Sequence, residues 1–138
     1  MSEQPARLIL AVDDEESSRK LIRLLLERVG YRVLTAPNGE DGLVLAKAEQ
    51  PDAILLDLMM PGIDGHEMLR RLKRDPDTKA IPVMMVTARG ADQDIEQSFK
   101  LGAIFHLEKP YETNDLLKKL DVAFALHPDR PTEPGNSR

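Results

Sequence analysis

The sequence predicts an α/β protein in which a parallel sheet carries helices on both faces. Five short apolar runs of strand length alternate with five stretches whose apolar residues recur at helical spacing. The run Ala53-Ile54-Leu55-Leu56 is apolar throughout, which is typical of a central parallel strand that helices cover on both sides. With 138 residues, 41% hydrophobic and 31% charged, the chain suits one globular domain.

The first strand and helix follow directly from local patterns. Leu8–Val12 is an apolar run that ends in four acidic residues. Ser17 or Ser18 can cap the helix that follows, and Gly30 is well placed to end it. Within this helix an apolar stripe is expected to face the core, formed by Leu21, Leu24, Leu25 and Val29.

The same reasoning predicts the other elements in order. Pro37, Asn38 and Gly39 form a turn, and Met60, Pro61 and Gly62 stop the central strand. Later strands are expected at 31–35, 53–56, 82–86 and 103–107, and helices at 40–50, around 68–72, around 95–101 and at 113–126. Leu43, Leu45 and Ala46 are expected to face inward from the second helix, and Leu116, Leu117, Leu120 and Phe124 from the last. Met68, Leu69 and Leu72 mark the third helix, and Ile95, Phe99 and Leu101 indicate the fourth.

The two ends of the chain differ from its middle. Residues 1–6 are polar, and residues 127–138 contain Pro128, Pro131 and Pro134, so both segments are predicted to be disordered. The folded domain is therefore expected to span residues 7–126.

Charge and composition exclude several classes of function. The net charge of −5 gives no general attraction to nucleic acid. The sequence has no cysteine, which excludes disulfides and zinc–thiolate sites. It shows no secretion signal and no apolar run near membrane-spanning length, so we expect a cytoplasmic protein without a membrane partner.

Polar side chains follow several of the predicted strands at the point where each strand ends. Right-handed crossovers place these ends at one edge of the sheet, which gathers Asp13, Asp14, Asp57, Thr87 and Lys109. Two carboxylates about 4 Å apart repel by about 4 kcal/mol at an effective dielectric constant of about 20. A hard cation such as Mg²⁺ relieves that repulsion, and a hydroxyl and an ammonium group complete a pocket suited to a phosphoryl group.

Each of these residues also has an ordinary structural interpretation. Asp57 alone could end a strand and cap the next turn. Asp13 and Asp14 could cap the first helix, and Lys109 could be a surface lysine before a turn. Only the combination favours a functional site.

In this set and order, the motifs resemble the receiver domain of bacterial two-component response regulators, over about residues 7–126. The matching pieces are Val12-Asp13-Asp14, the segment 56–65 around Asp57, Val86-Thr87-Ala88, and Gly102-Ala103 followed by Lys109-Pro110. The resemblance implies a flavodoxin-like (βα)5 three-layer sandwich with strand order 2-1-3-4-5. It also implies that Asp57 accepts a phosphoryl group from a phosphohistidine of a sensor histidine kinase or phosphotransfer protein.

The resemblance further implies a role for each site residue. Asp57 is the nucleophile. Asp14, Asp57 and the backbone carbonyl of Met59 bind Mg²⁺, and Asp13 acts through a metal-bound water. The Thr87 hydroxyl, the Ala88 amide and the Lys109 ammonium hold phosphoryl oxygens. Pro110 matches a cis proline of the family.

One position departs from the family pattern. The family usually has Tyr or Phe three residues before its lysine, and that ring turns inward together with the threonine. Here the position is His106, and Phe105 cannot replace it because strand neighbours point to opposite faces. We interpret Thr87 and His106 as the switch, with a readout sensitive to pH; the alternative is that His106 is merely a partly exposed edge-strand residue. Met59 and Arg89 occupy positions that tune reaction rates in the family.

Signalling is expected through the fourth helix, the fifth strand and the fifth helix. The predicted partner surface comprises residues 95–101, 104–106 and the outer side of 115–123. A downstream protein target would bind there, with the protein a monomer or a phosphorylation-dependent dimer. Because about a dozen residues follow the last helix, the sequence suggests a stand-alone regulator or a receiver excised from a longer protein.

Two alternative functions belong to other classes. A pseudo-receiver would share the fold and bind partners without ever being phosphorylated. A haloacid-dehalogenase-like phosphatase also uses an aspartate nucleophile with Mg²⁺, but it has a second aspartate two positions later. Here that position is Met59, which cannot transfer protons, so we expect a phosphoacceptor and not an enzyme acting on external esters.

Overall fold

The computed structural model describes residues 6–88 and 92–126. Most of the segments predicted to be disordered, and Arg89, lie outside these residues. The described elements, in chain order, are β1 (Leu8–Val12), α1 (Glu16–Arg28), β2 (Arg32–Ala36), α2 (Gly39–Glu49), β3 (Ala53–Asp57), α3 (Gly65–Arg74), β4 (Val83–Thr87), α4 (Asp92–Lys100), β5 (Phe105–Glu108) and α5 (Thr113–Leu126).

The five strands form one parallel sheet in the order β2-β1-β3-β4-β5, which confirms the predicted topology. In this register Val12 lies opposite Leu56, and Asp57 lies opposite Val86. Thr87 in turn lies opposite Glu108, one residue before Lys109. The carboxyl ends of β1, β3, β4 and β5 therefore lie along one edge.

Side chains of alternate strand residues pack into two separate hydrophobic cores, one on each face of the sheet. Leu10, Ile54, Leu56 and Met85 pack on the face that carries α3. On the opposite face, beneath α1 and α5, lies a second cluster that includes Ile9, Ala11, Leu55, Met84, Val86, Leu116 and Leu120. The sheet is thus covered on both sides, as the apolar strands predicted.

Helix α1 differs from its prediction in two ways. It begins at Glu16, earlier than a cap at Ser17 or Ser18 allows, and Glu15 precedes it without a side-chain capping bond. The predicted inward stripe is also wrong: Ile22 and Leu26 are the buried residues, whereas Leu21, Leu24 and Val29 are about half exposed at 51%, 53% and 51%. Leu25 is partly buried.

The physical reason is that this leucine-rich helix carries two apolar stripes. Ile22 and Leu26 are four residues apart and so lie on one face, which turns toward the sheet. Helix α1 starts before the serines, so neither serine caps it. The end of α1 agrees with the prediction, because Gly30 adopts φ +103° and its N–H donates to the Glu27 carbonyl at 3.0 Å.

The start of α3 is built tightly against the end of β3. The Gly65 N–H donates to the Leu58 carbonyl at 2.9 Å. A side chain at position 65 would collide with the Asp57 carbonyl oxygen and come within 2.8 Å of the Leu58 Cα. The Asp64 carboxylate caps the helix by accepting from the Glu67 N–H at 2.9 Å. Helix α3 therefore begins at a fixed position beside Asp57.

The residues of the sheet are less deeply buried at the edge formed by β5, beside α4. Strands β1, β3 and β4 are buried along their whole length, whereas β5 has only Leu107 buried.

Among the described residues, no helix is both long enough and apolar enough to cross a membrane.

Candidate functional site

Three carboxylates meet at the carboxyl edge of the sheet. Asp13 and Asp14 directly follow β1, and Asp57 is the last residue of the neighbouring strand β3. One carboxylate oxygen from each lies within 4.8 Å of the others. Asp13 and Asp57 are each only 8% exposed, while Asp14 is open to solvent. This oxygen-only, highly negative group has the donor set that Mg²⁺ prefers.

Lys109 joins this group from the end of β5. Its Nζ donates to Asp13 Oδ2 at 2.7 Å and lies 3.5 Å from Ser18 Oγ. The backbone N–H of Lys109 donates to the Thr87 carbonyl at 2.7 Å, so the lysine is anchored to β4 as well. The peptide bond between Lys109 and Pro110 is cis, as the sequence suggested.

The second oxygen of Asp13 is also engaged. Asp13 Oδ1 accepts from the Glu15 N–H at 2.9 Å, which holds the loop before α1. Arg19 Nη1 donates to the Asp13 carbonyl at 2.7 Å and fixes the same loop from the helix side. Asp13 therefore has a defined orientation beside Asp57.

Asp57 is the electrostatically strained member of the group. Burial, followed by repulsion from Asp13, raises the pKa of its carboxyl to about 6. The Lys109 ammonium and the Met59 N–H, 3.4 Å from Asp57 Oδ1, act in the opposite direction without restoring the ordinary value. A cation at this position would favour the ionised carboxylate.

A cavity of about 540 Å³ opens beside Asp57. One wall is apolar and comes from α1, including the half-exposed Leu21 and the partly buried Leu25. Tyr111 forms part of the opposite wall, and burial together with Asp13 raises its pKa to about 12, so its phenol stays neutral. The cavity therefore has charged residues at its floor and largely apolar residues in its walls.

The remaining predicted residues lie at the same edge. Thr87 is fully buried at the end of β4, and Ala88 follows it and lines the cavity. Met59 lies two residues after Asp57 and is 67% exposed. Arg89 lies outside the described residues. The structure thus brings the predicted acidic, hydroxyl and lysine groups to one place.

His106 and Phe105 point to opposite faces of β5. Phe105 packs against the core beneath α1 and α5, with Lys119 Nζ 5.9 Å from the centre of its ring. Burial, and after it the nearby His66, lowers the pKa of the His106 imidazole. Among the described residues, no hydrogen-bond partner reaches the buried His106 Nε2.

Sequence reasoning missed a polar contact between α3 and α4. His66 Nε2 lies 2.9 Å from Ser98 Oγ and 3.2 Å from the Asp94 carbonyl oxygen. Ser98 follows Ile95 by three positions, so helical spacing could have placed it on the inner face of α4. Nothing in the sequence pattern paired it with His66.

Comparison with known proteins agrees with this geometry. The family described as "Response regulator receiver domain" matches residues 9–121. The chain is 39% identical over 117 residues to Protein PilH of Pseudomonas aeruginosa, covering 85% of this chain and 97% of PilH. It is also 39% identical over 131 residues to the phosphate regulon transcriptional regulatory protein PhoB of the same organism, covering 95% of this chain but only 55% of PhoB.

Solved structures show the same fold. A chemotaxis protein CheY4 of Vibrio cholerae aligns with a TM-score of 0.81 and 30% identity, covering 86% of this chain and 98% of that one. A putative response regulator from Chloroflexus aurantiacus aligns with a TM-score of 0.83 and 34% identity, covering 88% and 99% of the two chains. The chain belongs to the receiver domains of two-component response regulators.

Proposed function

We propose that Asp57 accepts a phosphoryl group from a phosphohistidine of a sensor histidine kinase or phosphotransfer protein in the cytoplasm. The observation that carries this proposal is the convergence of Asp13, Asp14, Asp57 and Lys109 at the floor of one cavity. Family membership supports the same reaction, but it does not identify the residues of this chain.

Magnesium fits the acidic cluster. Asp14, Asp57 and the Met59 carbonyl would bind it, with Asp13 acting through a water molecule. Carboxylate oxygens within 4.8 Å of one another suit this hard cation, which is commonly held by one or two carboxylates, water and phosphate oxygens. When bound, Mg²⁺ supplies positive charge that offsets the carboxylates and the phosphoryl oxygens.

The transfer step follows from the charges. A carboxylate oxygen of Asp57 attacks phosphorus and forms an O–P bond, while the N–P bond of the phosphohistidine breaks and its electron pair stays on the imidazole nitrogen. Lys109 leaves Asp13 and neutralises a phosphoryl oxygen, and the Thr87 hydroxyl and Ala88 N–H bind the others. Water later attacks phosphorus, the O–P bond to Asp57 breaks, and inorganic phosphate leaves, which regenerates the Asp57 carboxylate. The protein is thus a phosphoacceptor that assists its own turnover and not an enzyme acting on external substrates.

The signal follows from the added charge, which is close to two negative units. Thr87 moves toward the phosphoryl group, and His106 fills the space behind it. This change would alter the surface formed by α4, β5 and α5, where Phe99 is already 47% exposed. A downstream protein, or a second copy of the chain, would bind that surface.

The test is intact mass after incubation with Mg²⁺ and acetyl phosphate. We expect the parent protein to gain one phosphoryl group and Asp57→Asn to gain none. Asp64→Asn is the matched control, because this nearby carboxylate only caps α3 and asparagine caps equally well. A parent that gains nothing from acetyl phosphate or from a phosphorylated histidine kinase, although it binds Mg²⁺, would establish the pseudo-receiver alternative instead.

A further inference from the structure

Helix α4 is held to the rest of the protein in an unusual way. Surface helices are normally fixed by an apolar stripe. Among the described residues of α4, the single buried one is the polar Ser98. Ile95 is only partly buried, and Phe99 is about half exposed, at 47%. The position of α4 therefore depends strongly on what Ser98 contacts.

Ser98 takes part in a three-membered hydrogen-bond group that we call the α3–α4 latch: the His66 imidazole, Ser98 and the Asp94 carbonyl. Ser98 Oγ donates to the Asp94 carbonyl at 2.9 Å. His66 Nε2 lies within hydrogen-bond distance of both oxygens. Because a carbonyl can only accept, Nε2 carries the hydrogen and donates to this pair of oxygens. The latch thus joins the first turn of α3 to the middle of α4.

The α3 end of the latch is attached to the acceptor site. His66 follows Gly65, whose backbone is in contact with the Asp57 carbonyl and bonded to Leu58. Close-packed backbone leaves no room for the end of β3 to shift without moving the first turn of α3. A displacement at Asp57 would therefore reach His66 and, through it, Ser98.

The β5 side of α4 offers less polar support. His106 faces this region, since His66 and Asp94 both act on its imidazole electrostatically. Its buried Nε2 has no hydrogen-bond partner among the described residues, so His106 does not bond to α4 there. Within the described residues, the latch therefore gives the inner face of α4 side-chain hydrogen bonds that the Nε2 of His106 does not provide.

We propose that His66 and Ser98 form a second connection between Asp57 and α4, separate from the one through Thr87 and His106. This inference rests on the proposed function, because it requires Asp57 to be the phosphoacceptor. His66 and Ser98 are positioning residues: they set where α4 lies and how it responds, without touching the phosphoryl group.

The test is amide hydrogen exchange of α4, measured with and without acetyl phosphate and Mg²⁺ on samples whose phosphorylated fraction is known from intact mass. In the unphosphorylated state, we expect Ser98→Ala to speed exchange in α4 by about three- to tenfold, the effect of losing a buried hydrogen bond. His66→Leu should produce the same change, and the double variant should add little to either. Glu96→Ala, on the exposed face of α4, is the matched control and should leave exchange unchanged.

Phosphorylation then separates the possible outcomes. We expect both latch variants to be phosphorylated like the parent, but with a smaller change in α4 exchange on phosphorylation. Normal phosphorylation with an α4 response equal to the parent's would overturn the latch and leave the proposed function intact. A parent that is not phosphorylated at all would overturn both. Additive effects of Ser98→Ala and His66→Leu would also contradict the latch, because partners in one contact are not independent.

Discussion

The centre of the sheet and its β5 edge differ in how deeply their residues are buried. In the centre, β1, β3 and β4 are buried at every position, and the acidic residues lie at the ends of β1 and β3. At the edge, β5 is mostly half-buried, and the neighbouring α4 buries one serine. Chemistry at phosphorus requires fixed geometry, whereas a signal requires an element that can move at low energetic cost. The chain separates these requirements between neighbouring regions.

The two helices that meet at the latch show the same contrast. Helix α3 buries Met68, Leu69 and Leu72 completely, so its position is set by the core. Helix α4 has no fully buried apolar residue among those described, and its one buried residue, Ser98, contacts His66 of α3. Stability should therefore depend far more on α3 than on α4.

The largest expected loss of stability comes from a substitution in α3. Leu72→Ala should lower the free energy of unfolding by about 2–5 kcal/mol, because it leaves a cavity at a fully buried site. Phe99→Ala removes a larger side chain from α4, yet should cost less than about 1 kcal/mol because about half of Phe99 is already exposed. Urea unfolding of both variants measures the difference. Equal losses would show that α4 is as firmly packed as α3.

A smaller change in the free energy of unfolding, this time an increase, is expected when Asp57 is replaced. The pKa of Asp57 is raised from 3.8 to about 6, so the folded protein binds a proton more readily than the unfolded chain. The ionised carboxylate therefore weakens the fold increasingly as pH rises through this interval. Asp57→Asn should stabilise the metal-free protein by about 1–3 kcal/mol at pH 7 to 8.

That gain should vanish near pH 4, where the unfolded carboxyl also begins to hold its proton. Urea unfolding in the presence of a chelator, from pH 4 to 8, tests this dependence. Asp64→Asn again serves as the control and should show no comparable rise with pH. A gain for Asp57→Asn that does not depend on pH would contradict the electrostatic explanation.

The smallest effect concerns His106. Because burial lowers the pKa of this imidazole, the folded state binds fewer protons than the unfolded chain near the ordinary value of 6.5. Stability contributed by neutral His106 is present above that value and is lost as pH falls below it. His106→Phe should remove this acid sensitivity, so the free energy of unfolding should fall less for this variant than for the parent between pH 7.5 and 5.5. Unfolding curves with an unchanged acid slope would show that other groups cause it.

Much of the fold was predictable because apolar runs and helical spacing are local. All five strands and five helices lie within a few residues of their predicted positions. Right-handed crossovers explain why the strand ends share an edge, but they are compatible with several strand orders. The predicted order 2-1-3-4-5 came from the family resemblance. The predicted inward face of α1 is wrong because this helix carries two apolar stripes, and helical spacing alone does not decide whether Leu24 or Ile22 faces the sheet.

The site was predictable to the extent that strand ends define it. Asp13, Asp57 and Lys109 were named from sequence, and they do lie together. The pairing of Lys109 with Asp13, and the contact of His66 with Ser98, were not predicted. Such contacts depend on the relative positions of elements far apart in the chain, and no spacing pattern records them.

The cavity beside Asp57 has a consequence for chemical intervention. Its volume of about 540 Å³ is within the range that drug-sized ligands occupy, and its walls are largely apolar around a charged floor. A compound with a hydrophobic body against Leu21 and Leu25 and an amine directed at Asp57 would complement both parts. Such a molecule would lie directly against Asp57, so Leu21 and Leu25, which are left out of the core, would provide a binding surface for an inhibitor of the proposed acceptor.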